Sequence, residues 1–447
     1  MEDIKKNLRL VFGLFVVLFA GLILYLLNFE FFVSSDIVNT TLNPRVTRGH
    51  PDIVRGNILD AHGVVLATSL DGYRNYPFGR AFSHVVGHTG SGHAGVEERY
   101  NFSMVNISGE FMQRVHNIAN DSLVVGDSVV LTIDAGLQQF AHNALGNNRG
   151  SIVVLDPFTG AVLAMVSSPS YDPNTTNWHE LITNHEESPL LNRSTQGLYP
   201  PGSTFKIVTA AAALPYHEGF VHYCTGYITL NGTTIRCFNS VSHGQVDMTR
   251  AFALSCNTYF VALADEVGEE ALTLQSEDLH FNKPLNFPLR YSESQFTVSN
   301  LAQTAIGQGQ TLATPLHMTM IAGTIANGGT LMEPFILDHR LTTTGFVRDR
   351  ASPTSLNRVF TDEIYLLQEM MVQVVQNGTG RNAAVSGIQI AGKTGTAETG
   401  SGESHGWFVG YAPAGNPQIA FGIMLENSGG TARVLPIARD IVSHYLY

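Results

Sequence analysis

Apolar positions along this chain form one long run and a series of shorter ones. Residues 10–29 are about 20 in number and carry no charge, enough for a helix to span the hydrocarbon core of a bilayer. Lys5, Lys6 and Arg9 precede the run. Basic residues stay on the cytoplasmic side, so the pattern places the chain beyond it outside the membrane. A cleaved signal peptide is the competing reading, but its apolar core is usually shorter, and residues 25–30 offer no small-residue cleavage site. Further on, residues 151–155 and 418–425 read as strands, and Asp156-Pro157-Phe158-Thr159-Gly160 reads as a turn after the first of them. Residues 388–397 also read as a strand, with glycines that let its backbone approach a ligand closely. Residues 207–214 and 365–375 are helical stretches, and an apolar segment covers 258–263. This alternation predicts an α/β sandwich from about residue 146 to Tyr447. A small strand-containing module at about 30–145 precedes it, after a tail and anchor at 1–29.

Composition narrows the picture. With 44% hydrophobic residues the chain can bury a large core, and its net charge of −12 argues against nucleic acid as a partner. Cys224 and Cys237, two of three cysteines, flank a hairpin-like stretch at 225–235. Outside the membrane they are open to a disulfide or to remaining thiols. Cys256 reads as a small buried residue. No metal or cofactor signature is present: His84 and His88 have i, i+4 spacing but lack the glutamate of HExxH, and His405 stands alone.

Three short words carry the chemistry: Ser203-Thr204-Phe205-Lys206, then Ser255-Cys256-Asn257, then Lys393-Thr394-Gly395-Thr396. Each is weak singly. In this order they are the SxxK, SxN and KTG elements of serine acyl-transfer enzymes of the penicillin-binding kind. Residues i and i+3 share a helix face, so Lys206 can stand beside Ser203 as base to nucleophile. After Tyr199-Pro200-Pro201-Gly202, Ser203 is expected at a helix start, where unpaired N–H groups favour developing negative charge. Lys206 can act near neutral pH only if burial or a second cation depresses its pKa, and Lys393 is the natural second cation. Ser255 would relay the proton to the leaving amine, and Asn257 would hold Lys206 and the substrate amide. Lys393 with Thr394, Gly395 and Thr396 suits a peptide ending in a carboxylate, and the N–H groups of Ser203 and of a residue at or near Thr396 would form an oxyanion hole. A helix cap with a solvated lysine is the bland reading of the first word, and an Asx or Ser turn that of the second. Gly387 to Thr394 also fits the P-loop pattern, but no strand precedes and no helix follows it. Gly90-Ser91-Gly92-His93-Ala94-Gly95 fits GxGxxG without a βαβ unit around it and reads as a turn.

Most of the chain resembles the class B penicillin-binding proteins, single-function D,D-transpeptidases of bacterial wall synthesis. Besides the three words, the resemblance rests on residues 160–166, Pro169-Ser170-Tyr171-Asp172-Pro173-Asn174, Gly307-Gln308-Gly309 and Trp407-Phe408-Val409-Gly410-Tyr411. Upstream it rests on Asn43-Pro44-Arg45, residues 55–60 and Gly95-Val96-Glu97-Glu98-Arg99-Tyr100. Where the family continues Asp-Arg-Asn-Gly, this chain has Asp60-Ala61-His62-Gly63. The resemblance implies the penicillin-binding and serine β-lactamase-like transpeptidase fold, an antiparallel sheet flanked by helices with an all-helical half carrying Ser255. It also implies a bacterial membrane protein that cross-links peptidoglycan stem peptides through a Ser203 acyl-enzyme and is trapped by β-lactams. Its partner would be a polytopic glycan polymerase of the shape, elongation, division and sporulation (SEDS) family. The chain before residue 146 is too short for the glycosyltransferase domain of class A relatives. A D,D-carboxypeptidase, an anchored β-lactamase-like hydrolase and a non-enzymatic β-lactam sensor or wall-complex scaffold share the same words. A class D-type lactamase has an aliphatic residue where this chain has Asn257, and a sensor would need further spans and a cytoplasmic protease region.

Overall fold

Five strands with apolar residues on both faces organise the C-terminal part: β1 (Gly150–Leu155), β2 (Val162–Ser168), β3 (Ala391–Ala397), β4 (His405–Ala412) and β5 (Ile419–Leu425). They form one sheet in the order β3-β4-β5-β1-β2, with every pairing antiparallel. The computed structural model describes residues 2–29, 53–70, 72–105, 124–360, 363–400 and 402–447. Six helices matter for the site: α1 (Ala135–Leu145), α2 (Lys206–His217), α3 (Asn257–Val267), α4 (Pro315–Ala326), α5 (Ile364–Gln376) and α6 (Val434–Leu446).

Both faces of the sheet are covered, which is why β5 reads as an unbroken apolar run and is buried at every position. On one face α1 and α6 pack Leu137, Ala141, Ile441 and Val442 against Ile152, Phe421 and Ile423. Truncating one such aromatic, Phe421→Ala, would cost about 3–5 kcal/mol. On the other face α4 lies so close that a Cβ at Gly422 would fall 2.2 Å from Thr319 Oγ1. The edge strand β3 is flanked by α5, and it carries the KTG word.

The antiparallel sheet flanked by helices matches expectation, as does a helical region, α2 and α3 with helix Glu269–Asp278, around the SxN word. Two boundaries differ. β3 begins at Ala391 rather than 388, because Ile388 makes an isolated bridge back to Val385. The helix expected from Ser203 begins as a 3-10 turn, Gly202–Phe205, and becomes α-helical only at Lys206.

By contacts the chain divides into two compact units, residues 1–56 with 100–127, and residues 57–99 with 128–447. The first contains helix Glu2–Asn28, within which Ile4–Leu26 is long and apolar enough to cross a membrane, and a short parallel pair, Ile53–Val54 with Val124–Val125. The second contains a further six-stranded sheet that joins Ile58–Leu59, Val65–Leu70, Tyr73–Asn75 and Ser128–Leu131 to Leu337–Leu341 and Val347–Arg348. That pairing places 57–99 with the later residues, so the division by contacts does not fall at residue 145. Asp60 is buried, and its carboxylate accepts N–H groups from His62 at 2.8 Å, Val64 at 2.7 Å and Ala135 at 3.1 Å. The Asp60-Ala61-His62-Gly63 variant thus closes an Asx-type turn. Asn43-Pro44-Arg45 lies outside the described residues.

Candidate active site

Gly202 sets where the nucleophile sits. Its φ is +53°, and a Cβ there would fall 2.5 Å from the carbonyl oxygen of Thr396, so only glycine lets the Ser203 turn approach β3 this closely. Its N–H donates to the Gly307 carbonyl at 2.9 Å. The approach also orients β3. The Thr396 carbonyl faces the Ser203 turn, and on an extended strand a residue's N–H leaves by the same edge as its C=O, so the Thr396 N–H faces Ser203 too. The lead-in is fixed by two-way bonds between Tyr199 and Ala313 at 3.0 and 2.8 Å, and by Trp407 Nε1 donating to the Pro200 carbonyl at 3.1 Å.

In the 3-10 turn residues i and i+3 eclipse, which stacks Lys206 directly after Ser203. Ser203 is half-buried and Lys206 fully buried. The Lys206 ammonium does not bond Ser203. It donates to the Ser255 carbonyl at 2.7 Å, to Ser255 Oγ at 3.3 Å and to Asn257 Oδ1 at 2.6 Å. Asn257 in turn donates through Nδ2 to the Arg236 carbonyl at 2.8 Å. Lys393 donates to Ser255 Oγ at 2.9 Å and to the Thr394 carbonyl at 3.0 Å. Ser255 Oγ therefore stands between two lysines. Ser255 itself has φ +56°, a left-handed conformation that a non-glycine residue holds only where its surroundings over-determine it.

Burial strips water from both amines. It pushes Lys206 down to about 7, against the opposing pull of nearby Cys256 and Cys237. Burial and then the Lys206 charge hold Lys393 well below the usual lysine range. Each ammonium also sits over an aromatic face, Lys206 over Phe260 at 5.4 Å and Lys393 over Phe252 at 5.5 Å.

All eight residues read from the three words fall in one place. Lys393, Thr394, Gly395 and Thr396 lie on β3, where only Thr396 is not fully buried. Sequence reasoning missed three features. Thr379 Oγ1 is 2.6 Å from Thr394 Oγ1, fixing that hydroxyl; the Asn377-Gly378-Thr379-Gly380 turn after α5 was its signal. Glu426 accepts from Tyr199 at 2.8 Å, Arg193 at 2.8 Å and Arg149 at 3.0 Å. Burial would raise the Glu426 pKa, but these three partners hold it below the usual carboxylate value. Nothing local in the sequence announces that network. The third is a cluster of Cys224, Cys237, His243 and Cys256. Cys224 and Cys237 are free thiols here. The cluster's ligand-type atoms lie within 4.8 Å of one another, although successive members are 13, 6 and 13 positions apart and form no short motif.

Residues 150–443 match the model of the penicillin binding protein transpeptidase domain. This chain belongs to that family. It is 31% identical to peptidoglycan D,D-transpeptidase PbpA of Mycolicibacterium smegmatis, over 93% of both chains. It is also 31% identical to peptidoglycan D,D-transpeptidase MrdA of Acinetobacter baumannii, over 86% of this chain and 67% of that one. The imipenem acyl-enzyme complex of penicillin-binding protein A from M. tuberculosis superposes with a TM-score of 0.83 at 31% identity, covering 89% of this chain and 99% of that one. These neighbours are class B penicillin-binding proteins, and this chain shares their fold.

Proposed function

We propose that this protein is a membrane-anchored, serine-type peptidoglycan D,D-transpeptidase. The observation that carries the reading is Ser255 Oγ bridged by Lys206 at 3.3 Å and Lys393 at 2.9 Å, beside the Ser203 turn. Ser203 Oγ attacks the penultimate D-alanine carbonyl of a stem peptide and passes its proton to neutral Lys206. The tetrahedral oxyanion is met by the N–H groups of Ser203 and Thr396. The C–N bond to the terminal D-alanine breaks, and that amine leaves with a proton relayed through Ser255. An amine from a neighbouring strand then attacks the acyl-enzyme and gives up a proton as Ser203 recovers its own. Asn257 orients Lys206, and Lys393 with Thr394, Gly395 and Thr396 receives the terminal carboxylate. β-Lactams acylate Ser203 in the same way.

Residues 1–29 form the tail and single-pass anchor, residues 30–145 the non-catalytic module, and residues 146–447 the transpeptidase domain. Lys5, Lys6 and Arg9 before the apolar run support an extracytoplasmic catalytic domain. A SEDS-type glycan polymerase is the proposed membrane partner. Product analysis tests the reaction. The full chain in detergent, given a stem-peptide donor and an acceptor amine, should form the cross-linked peptide. Release of D-alanine to water alone would instead favour a carboxypeptidase.

A further inference from the structure

Four side chains outside the acyl-transfer chemistry converge next to it. Cys224 ends strand His222–Cys224, Cys237 follows strand Thr233–Arg236, His243 precedes strand Gly244–Val246, and Cys256 caps α3 between Ser255 and Asn257. Their ligand atoms all lie within 4.8 Å of one another. Cys224 and Cys237 sulfurs are 3.7 Å apart, Cys237 and Cys256 sulfurs 3.8 Å, and His243 Nδ1 is 3.4 Å from the Cys224 sulfur. A tetrahedral zinc, with bonds of about 2.3 Å to sulfur and about 2.0–2.1 Å to nitrogen, holds sulfurs about 3.8 Å apart and sulfur and nitrogen about 3.6 Å apart. Three of the six distances in the cluster lie within about 0.2 Å of those values, and the other pairs lie within 4.8 Å.

The backbone supports the same geometry. Cys224 pairs with Gly244 across two strands, its carbonyl accepts from Ser242 Oγ at 2.7 Å, and the Cys237 N–H donates to the Gly226 carbonyl at 2.9 Å. Packing explains three buried thiols as small apolar groups, but it does not require an imidazole nitrogen aimed at one of them. Soft thiolates with one imidazole select zinc over the hard oxygen-seeking cations, and four protein donors make a closed, structural site rather than an open, catalytic one.

We infer that Cys224, Cys237, His243 and Cys256 form a structural zinc site that fixes the turn presenting Ser255 and Asn257. Binding displaces the protons of the thiols and leaves the metal with no exchangeable position. Two ligands adjoin the catalytic scaffold. Cys256 separates Ser255 from Asn257, and Cys237 follows Arg236, whose carbonyl holds Asn257 Nδ2 at 2.8 Å while Asn257 Oδ1 holds Lys206 at 2.6 Å. A metal held there adds a further constraint to the turn in which Ser255 sits at φ +56°. The metal site stands independently of the acyl-transfer reading, and only its effect on acylation rests on that reading.

The test uses the full-length protein, purified in detergent with reductant and desalted through a weak chelating resin. Elemental mass spectrometry should find one equivalent of zinc per chain, lost in Cys237→Ser and in His243→Ala. Because those variants can fail to fold, wild type is also exchanged with cobalt, and a thiolate-to-cobalt charge-transfer band with strong tetrahedral visible bands is expected. Protein with no zinc, zinc stripped by the resin, a cobalt spectrum without thiolate character, or an intact mass two hydrogens short from a Cys224–Cys237 bond would each overturn the site. Strong chelation should slow penicillin acylation at least tenfold, with recovery on adding zinc. An unchanged acylation rate in protein shown to be metal-free would overturn the coupling while leaving the site itself intact.

Discussion

The two sides of the active site are held by different means. β3 lies in a sheet whose register with β4 fixes Lys393 through Thr396 residue by residue, over a core covered on both faces. The Ser255–Asn257 turn has no such ladder. Its serine sits at φ +56°, and it is held by a few directed contacts, Lys206 on one side, Lys393 on another, and Asn257 to the Arg236 carbonyl on a third. A sheet edge positions groups by repetition, whereas a turn needs each contact separately. Single substitutions should therefore affect acylation more at the turn and its lysines than along the strand, except where the strand meets Gly202.

The largest effect is expected at Lys206, which serves both the chemistry and the turn. Lys206→Ala should slow acylation by about 10²–10⁴-fold, the usual contribution of a positioned general base, as read by stopped flow with a fluorescent penicillin. pH tests the same residue without mutation. Because burial depresses the Lys206 pKa to about 7, the neutral amine dominates above that pH. Acylation should fall roughly tenfold per unit below about pH 7 and level off above it, whereas an ordinary lysine would keep the profile climbing to about pH 10.4.

Gly202→Ala tests where the strand side depends on the turn. A Cβ 2.5 Å from the Thr396 carbonyl, at φ +53°, would separate Ser203 from β3. A loss of about 1–3 kcal/mol in stability is expected, with slower acylation, in thermal melts and labelling run side by side. Asn257→Ala removes the 2.6 Å acceptor of a buried amine and the tie to Arg236. Leaving that donor unmatched should cost about 1–3 kcal/mol and slow acylation about tenfold. The smallest effect is expected away from both sides. The Arg290–Glu98 pair is 2.6 Å long but its arginine is 73% exposed, so Glu98→Ala should change stability by less than about 1 kcal/mol and acylation not at all.

Much of the site was legible in the sequence because its chemistry is written in short words at fixed spacing. Ser203 and Lys206 three apart, Ser255 and Asn257 two apart, and Lys393 to Thr396 on an edge strand each carry local geometry with them. The sheet was legible where strands are apolar throughout, as at residues 151–155 and 418–425. What was not legible depends on distant segments meeting. The 3-10 winding at Gly202–Phe205 accompanies a bond from Gly202 to Gly307, Glu426 meets Arg193 and Tyr199 across the fold, and the clustered Cys224, Cys237, His243 and Cys256 come from separate segments. Lys206 was expected beside the Ser203 hydroxyl, yet its hydrogen bonds go to the Ser255–Asn257 turn, because the deeper acceptors satisfy a buried ammonium.

The central claim is that Ser203 is the group acylated. Intact-mass analysis of the full-length protein with benzylpenicillin tests it most directly. Wild type should gain the mass of one opened penicillin, and Ser203→Ala, folded by thermal melt, should gain none. An unmodified wild type, or an adduct that persists in Ser203→Ala, would contradict the account.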